Sequence, residues 1–128
     1  NMNTWWDNIR YFKPNEFDSP DAPGSGKNMN RDLIEILEVI RSRVGRSITI
    51  SSGYRTASYN ALPKIGGNPD SAHLRGLAVD IIVENSFARY SILDQAVKNG
   101  VRRLGIAKTF LHLDLDPTLP RGVAWLYD

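Results

Sequence analysis

The sequence predicts one α+β domain over residues 1–128, a mostly antiparallel sheet with two main helices. Three observations predict it. With 128 residues, 41% of them apolar and 23% charged, the chain can build one core without disulfide staples. Two stretches, one from Arg31 and one from Ser86, carry helical signals with recognisable ends. Around them lie short alternating or apolar runs separated by turn formers, as strands joined mostly by reversals should be.

The elements follow in order. Thr4 to Phe17 is rich in aromatics (Trp5, Trp6, Tyr11, Phe12, Phe17) and reads as short turns on the core, with residues 1–11 an N-terminal extension packed on the domain. Asp18 to Gly26 is full of turn formers and is either a surface loop, the plainer reading, or a lid beside a substrate site. From Arg31 to Val44, Leu33, Ile34, Leu37, Ile40 and Val44 recur on one helical face, with Asn30 as N-cap and Gly45 as stop. Ser47 to Ser51 reads as a strand, and Gly53-Tyr54-Arg55-Thr56 turns out of it. A short helical piece near Ala57 to Leu62 leads into a Pro/Gly/Asn loop through Asp70. Leu77 to Val83 has the apolar run of a central strand. Ser86 caps the second helix, which runs to about Asn99 and is closed by Gly100. Arg103 to Ile106, Phe110 to Leu115 and Val123 to Tyr127 complete the strands.

Composition excludes several function classes. There is no cysteine, hence no thiol nucleophile, disulfide framework or cysteine-ligated metal. The formal charge is only +2 and no Lys/Arg run could track a phosphate backbone, so nucleic acid is not expected as a partner. No apolar stretch approaches the ~20 residues that span a bilayer, and a signal-peptide core is missing, so no membrane partner is expected and a soluble monomer is.

The chemistry concentrates around the two histidines of the chain. His73 and Asp80 are too far apart to share an ion along one helix or strand, but converge if the chain turns at Arg75-Gly76 and returns as a strand. Gly76 permits that turn, and Ala78 is small enough to sit beneath a site. Asp80 lies among Val79, Ile81 and Ile82, where a carboxylate needs a partner. His112, Asp114 and Asp116 alternate with Leu111, Leu113 and Leu115, so one strand face carries all three polar groups. Two imidazoles and a carboxylate form a three-ligand zinc set with a fourth position open to water, and Asp114 would then accept a proton from that water. Hydrogen-bonded core histidines and an ion-paired Asp are the structural alternative.

Ser71, His73, Gly76, Ala78 and Asp80 match the five fixed positions of a Ser-x-His-x-x-Gly-x-Ala-x-Asp signature. In this the chain resembles the zinc D-alanyl-D-alanine carboxypeptidases, relatives of phage L-alanyl-D-glutamate endolysins and of the hedgehog zinc fold. Ser52-Gly53-Tyr54-Arg55, Asn60, Gly66-Gly67, Gly105-Ile106, Phe110-x-His112-x-Asp114 and Trp125 extend the resemblance from about Phe12 to Tyr127, towards the subgroup common in phages and bacterial wall enzymes.

The resemblance implies a hedgehog/D-Ala-D-Ala-peptidase-like fold and one zinc ion held by His73, Asp80 and His112. It implies a peptidase cutting peptide stems or crosslinks of peptidoglycan, as a carboxypeptidase or an endopeptidase. Arg55 would bind a substrate carboxylate or steady the carbonyl oxygen, with Tyr54 beside it, and Ser71 would meet substrate or brace the ligand loop. Many relatives carry an acid three residues before the last zinc-binding His, where this chain has Thr109. Asp114 of His112-x-Asp114 is therefore the expected general base, with Asp116 the spare. The expected place of action is periplasm or cell wall, and a lysin made in a host cytoplasm fits the lack of an export signal. Thr109 leaves open a non-catalytic zinc-stabilised module that binds wall or serves in a virion.

Overall fold

A computed structural model describes residues 4–127; Asn1 to Asn3 of the N-terminal extension, and Asp128, lie outside the described residues. Three helices, α1 (Arg31–Val44), α2 (Ala57–Asn60) and α3 (Ser86–Lys98), accompany five strands, with 3₁₀ turns between them. The strands are β1 (Ile50–Ser52), β2 (Ala78–Ile82), β3 (Arg103–Ile106), β4 (Phe110–Asp114) and β5 (Val123–Leu126). They form one sheet in the order β1-β2-β4-β3-β5, antiparallel except where β5 lies parallel to β3. The fold is α+β with two main helices and a mostly antiparallel sheet, as the sequence predicts.

Helix α1 forms where the periodicity places it. The Asn30 side chain accepts the Leu33 N–H at 3.0 Å, and Gly45 ends the helix in the left-handed region at φ 72°. Leu33, Ile34, Leu37 and Ile40 are fully buried against Val79 and Ile81 of β2 and Leu111 and Leu113 of β4. At about 1.5–3 kcal/mol per buried side chain, those four residues contribute at most roughly 6–12 kcal/mol. One sheet face thus belongs to the core, and strand alternation leaves Ala78, Asp80, His112 and Asp114 for the other.

Two local expectations are corrected. β1 begins at Ile50 and not Ser47: its ladder partners on β2 start with the Ile50–Ile81 pair, and the register shifts before Ser52 meets Asp80. The N-cap of α3 is Asn85 and not Ser86: Asn85, in an extended conformation, accepts the Ala88 N–H at 2.8 Å.

The aromatic N-terminal stretch forms 3₁₀ turns at Trp5–Asn8 and Pro14–Phe17, and Phe12 and Phe17 reach the core. Glu38 of α1 accepts the backbone N–H groups of Arg10 (2.6 Å) and Tyr11 (2.7 Å), which ties this stretch to the helix. The 18–26 loop is pinned: Asp18 accepts N–H groups of Gly24 and Gly26, and Thr56 donates to Asp21 at 2.7 Å. The Ser19 and Thr56 hydroxyls hold the Asp21 carboxyl below its ordinary value. Such a loop is surface structure bound to the start of α2, not a free lid.

No helix among the described residues is long and apolar enough to cross a membrane.

Candidate metal centre

The site is built on one transverse row of the sheet. Ser52 pairs with Asp80, Asp80 with His112, His112 with Gly105, and Gly105 with Trp125, across all five strands. Asp80 and His112 are therefore direct cross-strand neighbours, which sequence separation conceals. His73 comes from outside the sheet, on the 3₁₀ turn Ala72–Arg75. Gly76 then reverses the chain at φ 69° and delivers it into β2. A side chain there would strike the carbonyl oxygen of Asn28, so the turn is also a point of close backbone approach.

His73, Asp80 and His112 are all buried, and one donor atom from each lies within 4.8 Å of the others. Asp80 Oδ1 is 3.4 Å from His73 Nε2 and 2.9 Å from His112 Nδ1. Tetrahedral zinc with bonds of about 2.0–2.1 Å separates its ligand atoms by roughly 3.4 Å, so the donor set fits such an ion. Each ligand is also steered from behind. Gly53 O accepts from His73 Nδ1 at 2.7 Å, leaving Nε2 for the cluster. Arg55 lies 3.4 Å from Asp80 Oδ2, leaving Oδ1 between the imidazoles. Asp114 Oδ2 sits 2.6 Å from His112 Nε2, leaving Nδ1 inward. Outer partners that orient each ligand in this way are what a metal centre uses to hold its donors in place.

The electrostatics follow from this packing. Burial pushes the Asp80 carboxyl up, but hydrogen bonds and charge from His112 and His73 outweigh it and hold Asp80 well below the ordinary range. Burial depresses His112, yet its bonds to Asp114 and Asp80 prevail and raise it.

The predicted site residues divide clearly. Arg55 lines the cleft and spreads its fork over Ser52 Oγ (3.0 Å), Asn60 Oδ1 (3.1 Å) and Asp80 Oδ2. Ser71 caps the ligand turn by accepting the His73 N–H at 3.2 Å, and it lines the cleft too. Tyr54 is not among the residues lining the cleft: after β1 ends at Ser52, its side chain packs against the core. Asp114 is 1% exposed and its carboxylate is fully engaged, by His112 through Oδ2 and by Arg103 (2.7 Å) and the Asp116 N–H (3.1 Å) through Oδ1. It thus sits on the Nε2 side of His112, opposite the Nδ1 that faces Asp80. Asp116, beyond the end of β4, is turned into ion pairing with Arg75 and hydrogen bonding with Thr118.

Two adjoining hollows of about 430 and 370 Å³ meet at His112 and share Asn68, Ser71 and Tyr127. Trp125 and Tyr127 wall one side, lying close over Gly105, where an added Cβ would stand 2.6 Å from Tyr127 Cε2. Burial, the largest influence, raises the Tyr127 phenol above its ordinary value. Sequence reasoning missed Arg103 and Tyr127, and treated Asn60 and Trp125 only as points of resemblance. Buried Asn60, which bridges Arg55 and the Asn68 carbonyl, ends the four-residue helix α2, too short to give a periodic signal. Arg103 could have been suspected only from the register that sets it opposite Asp114.

Among known proteins, no curated protein matches the chain. A family model, described as Peptidase M15, matches residues 10–114 and so covers both histidines and the whole donor set. With the buried His73–Asp80–His112 cluster in place, the chain belongs to the peptidase M15 family of zinc peptidases.

Proposed function

We propose that this protein is a zinc-dependent peptidase that hydrolyses the peptide stems or crosslinks of bacterial peptidoglycan. The observation that carries the proposal is the buried His73–Asp80–His112 set at the floor of a cleft open on both sides of His112. The peptidoglycan substrate rests on the Ser71–Asp80 signature and its resemblance to wall carboxypeptidases and endolysins. His73 Nε2, Asp80 Oδ1 and His112 Nδ1 would hold the ion. Zinc bound there supplies Lewis acidity, polarising a scissile carbonyl and activating water.

The remaining work belongs to the chain. Arg55 is committed to Ser52, Asn60 and Asp80, so its first task is to fix the ligand carboxylate. Its place in the lining of the cleft also brings positive charge towards a substrate carboxylate or a developing oxyanion. Trp125 and Tyr127, their rings inclined at 64°, offer an aromatic wall to an extended peptide.

Mass spectrometry of peptidoglycan after incubation with zinc-loaded protein, beside a chelated control, tests this directly. New fragments that require the metal are the expected result, and their masses name the bond. His73→Ala should lose both zinc and hydrolysis; unchanged release of fragments by that variant would sink the proposal.

One observation favours a second reading. Among the described residues lining the cleft, every acid has another commitment: Asp80 belongs to the ligand set, Asp70 pairs with Arg75, and Asp114 with Arg103. A zinc-stabilised module that binds wall peptide, or serves in a virion, would need no base. Such a module would sediment with peptidoglycan and release nothing.

A further inference from the structure

We infer that Asp114 and Arg103 form a positioning device for His112: Asp114 accepts the His112 Nε2–H, Arg103 locks Asp114, and Nδ1 is thereby turned into the ligand set. The inference rests on the zinc site of the proposed function but not on its chemistry. Four observations carry it. Asp114 Oδ2 lies 2.6 Å from Nε2, on the edge of the imidazole opposite the Nδ1 that faces Asp80. The Asp114 residue is 1% exposed and both its carboxylate oxygens are taken up by protein partners. Arg103 Nε holds the other oxygen at 2.7 Å and is itself anchored by donating to Pro120 O at 2.6 Å. The guanidinium also lies 5.0 Å from the Trp125 ring centre, so the cleft wall and the ligand share one support.

The geometry has a cause in the sheet. Arg103 and Asp114 are cross-strand partners one same-face row away from Gly105 and His112. A strand places residues i and i+2 side by side, so His112-x-Asp114 puts the carboxylate beside the ring rather than above it. A carboxylate on the distal nitrogen fixes the tautomer and makes the ligating nitrogen more basic. Asp114 is on this account a positioning residue; it does not touch the reacting atoms.

The test separates that role from general-base catalysis by reading zinc affinity. Competition with a chromophoric chelator at fixed pH would be run on wild type, Asp114→Asn, Asp114→Ala and Arg103→Gln. Loss of such an outer partner weakens metal binding by about 10–100-fold. We expect that loss for Asp114→Ala and a smaller one for Arg103→Gln, with peptidoglycan hydrolysis largely restored at saturating zinc. Affinity within twofold of wild type in both Asp114 variants would overturn the inference, above all if turnover at saturating zinc were abolished.

Should the Asp114 variants fail to fold, ¹⁵N NMR of the wild-type histidine rings decides the matter. A proton on His112 Nε2 with zinc on Nδ1 is expected; zinc on Nε2 would overturn it. If no form of the protein cuts peptidoglycan but zinc affinity responds as expected, the enzyme proposal falls and the positioning role stands. If the wild type takes up no zinc, both fall.

Discussion

Replacing Gly76 by Ala, with Gly100→Ala as its control, tests how the two halves of the ligand set are joined. Both glycines are left-handed, at φ 69° and 88°. They differ in surroundings: a Cβ at Gly100 meets nothing within 4 Å, whereas at Gly76 it collides with the Asn28 carbonyl oxygen and lies 3.1 Å from Met29 Cα. The conformational penalty of about 1–2 kcal/mol is common to both, and a stiffer unfolded chain offsets some 0.4–1 kcal/mol of it. Gly100→Ala should therefore lose about 0.5–1 kcal/mol. The collision at Gly76 is with backbone, which cannot rotate aside, and adds about 1–3 kcal/mol. For 128 residues the unfolding entropy is roughly 0.27 kcal/mol per kelvin, so Tm should fall by about 2–4 °C in Gly100→Ala and about 6–15 °C in Gly76→Ala. Thermal unfolding followed by circular dichroism, with and without zinc, measures both. The zinc-induced rise in Tm should survive in Gly100→Ala and shrink in Gly76→Ala, since Gly76 sits between His73 and Asp80. Equal Tm values for the two variants would refute the claim that close approach, and not φ alone, demands glycine at position 76.

Other perturbations probe other parts of the design. Asp116 is buried, which opposes its ionisation, but Thr118 and Arg75 prevail and hold its carboxyl below the ordinary value. Its contribution to stability is thus present above the unfolded pKa of ~3.9 and lost as pH falls through the lower folded value. Asp116→Asn should cost about 1–3 kcal/mol in urea unfolding at neutral pH, with the gap to wild type closing in acid; a gap independent of pH would contradict this. Arg55→Lys cannot reach Ser52, Asn60 and Asp80 together, so hydrolysis should fall by about 10–100-fold with weaker zinc binding, and wild-type values for both would dismiss the steering role. Gly105→Ala places a Cβ 2.7 Å from Trp125 Nε1, which should displace the aromatic wall and cost about 1–3 kcal/mol; tryptophan emission and Tm both unchanged would show that the wall has slack.

Much of this molecule is determined locally and is legible in the chain. The bounds of α1 follow from Asn30, Gly45 and the spacing of Leu33, Ile34, Leu37 and Ile40, because caps and helical period act within a few residues. Period 2 alone puts His112 and Asp114 on the face opposite Leu111 and Leu113, and the turn at Gly76 lets His73 return towards Asp80. Tertiary structure decided what each polar group does there. Alternation shows that Asp114 stands beside His112, but not which ring nitrogen it meets, nor that Arg103 holds its other oxygen. The end of β4 at Asp114 turned Asp116 from spare base into the partner of Arg75, and the path out of β1 sent Tyr54 to the core. The parallel pairing of β5 with β3 brought Trp125 across Gly105 to the ligand row. Each of these depends on register between segments distant in the chain, where a shift of one residue would exchange the two faces of the sheet.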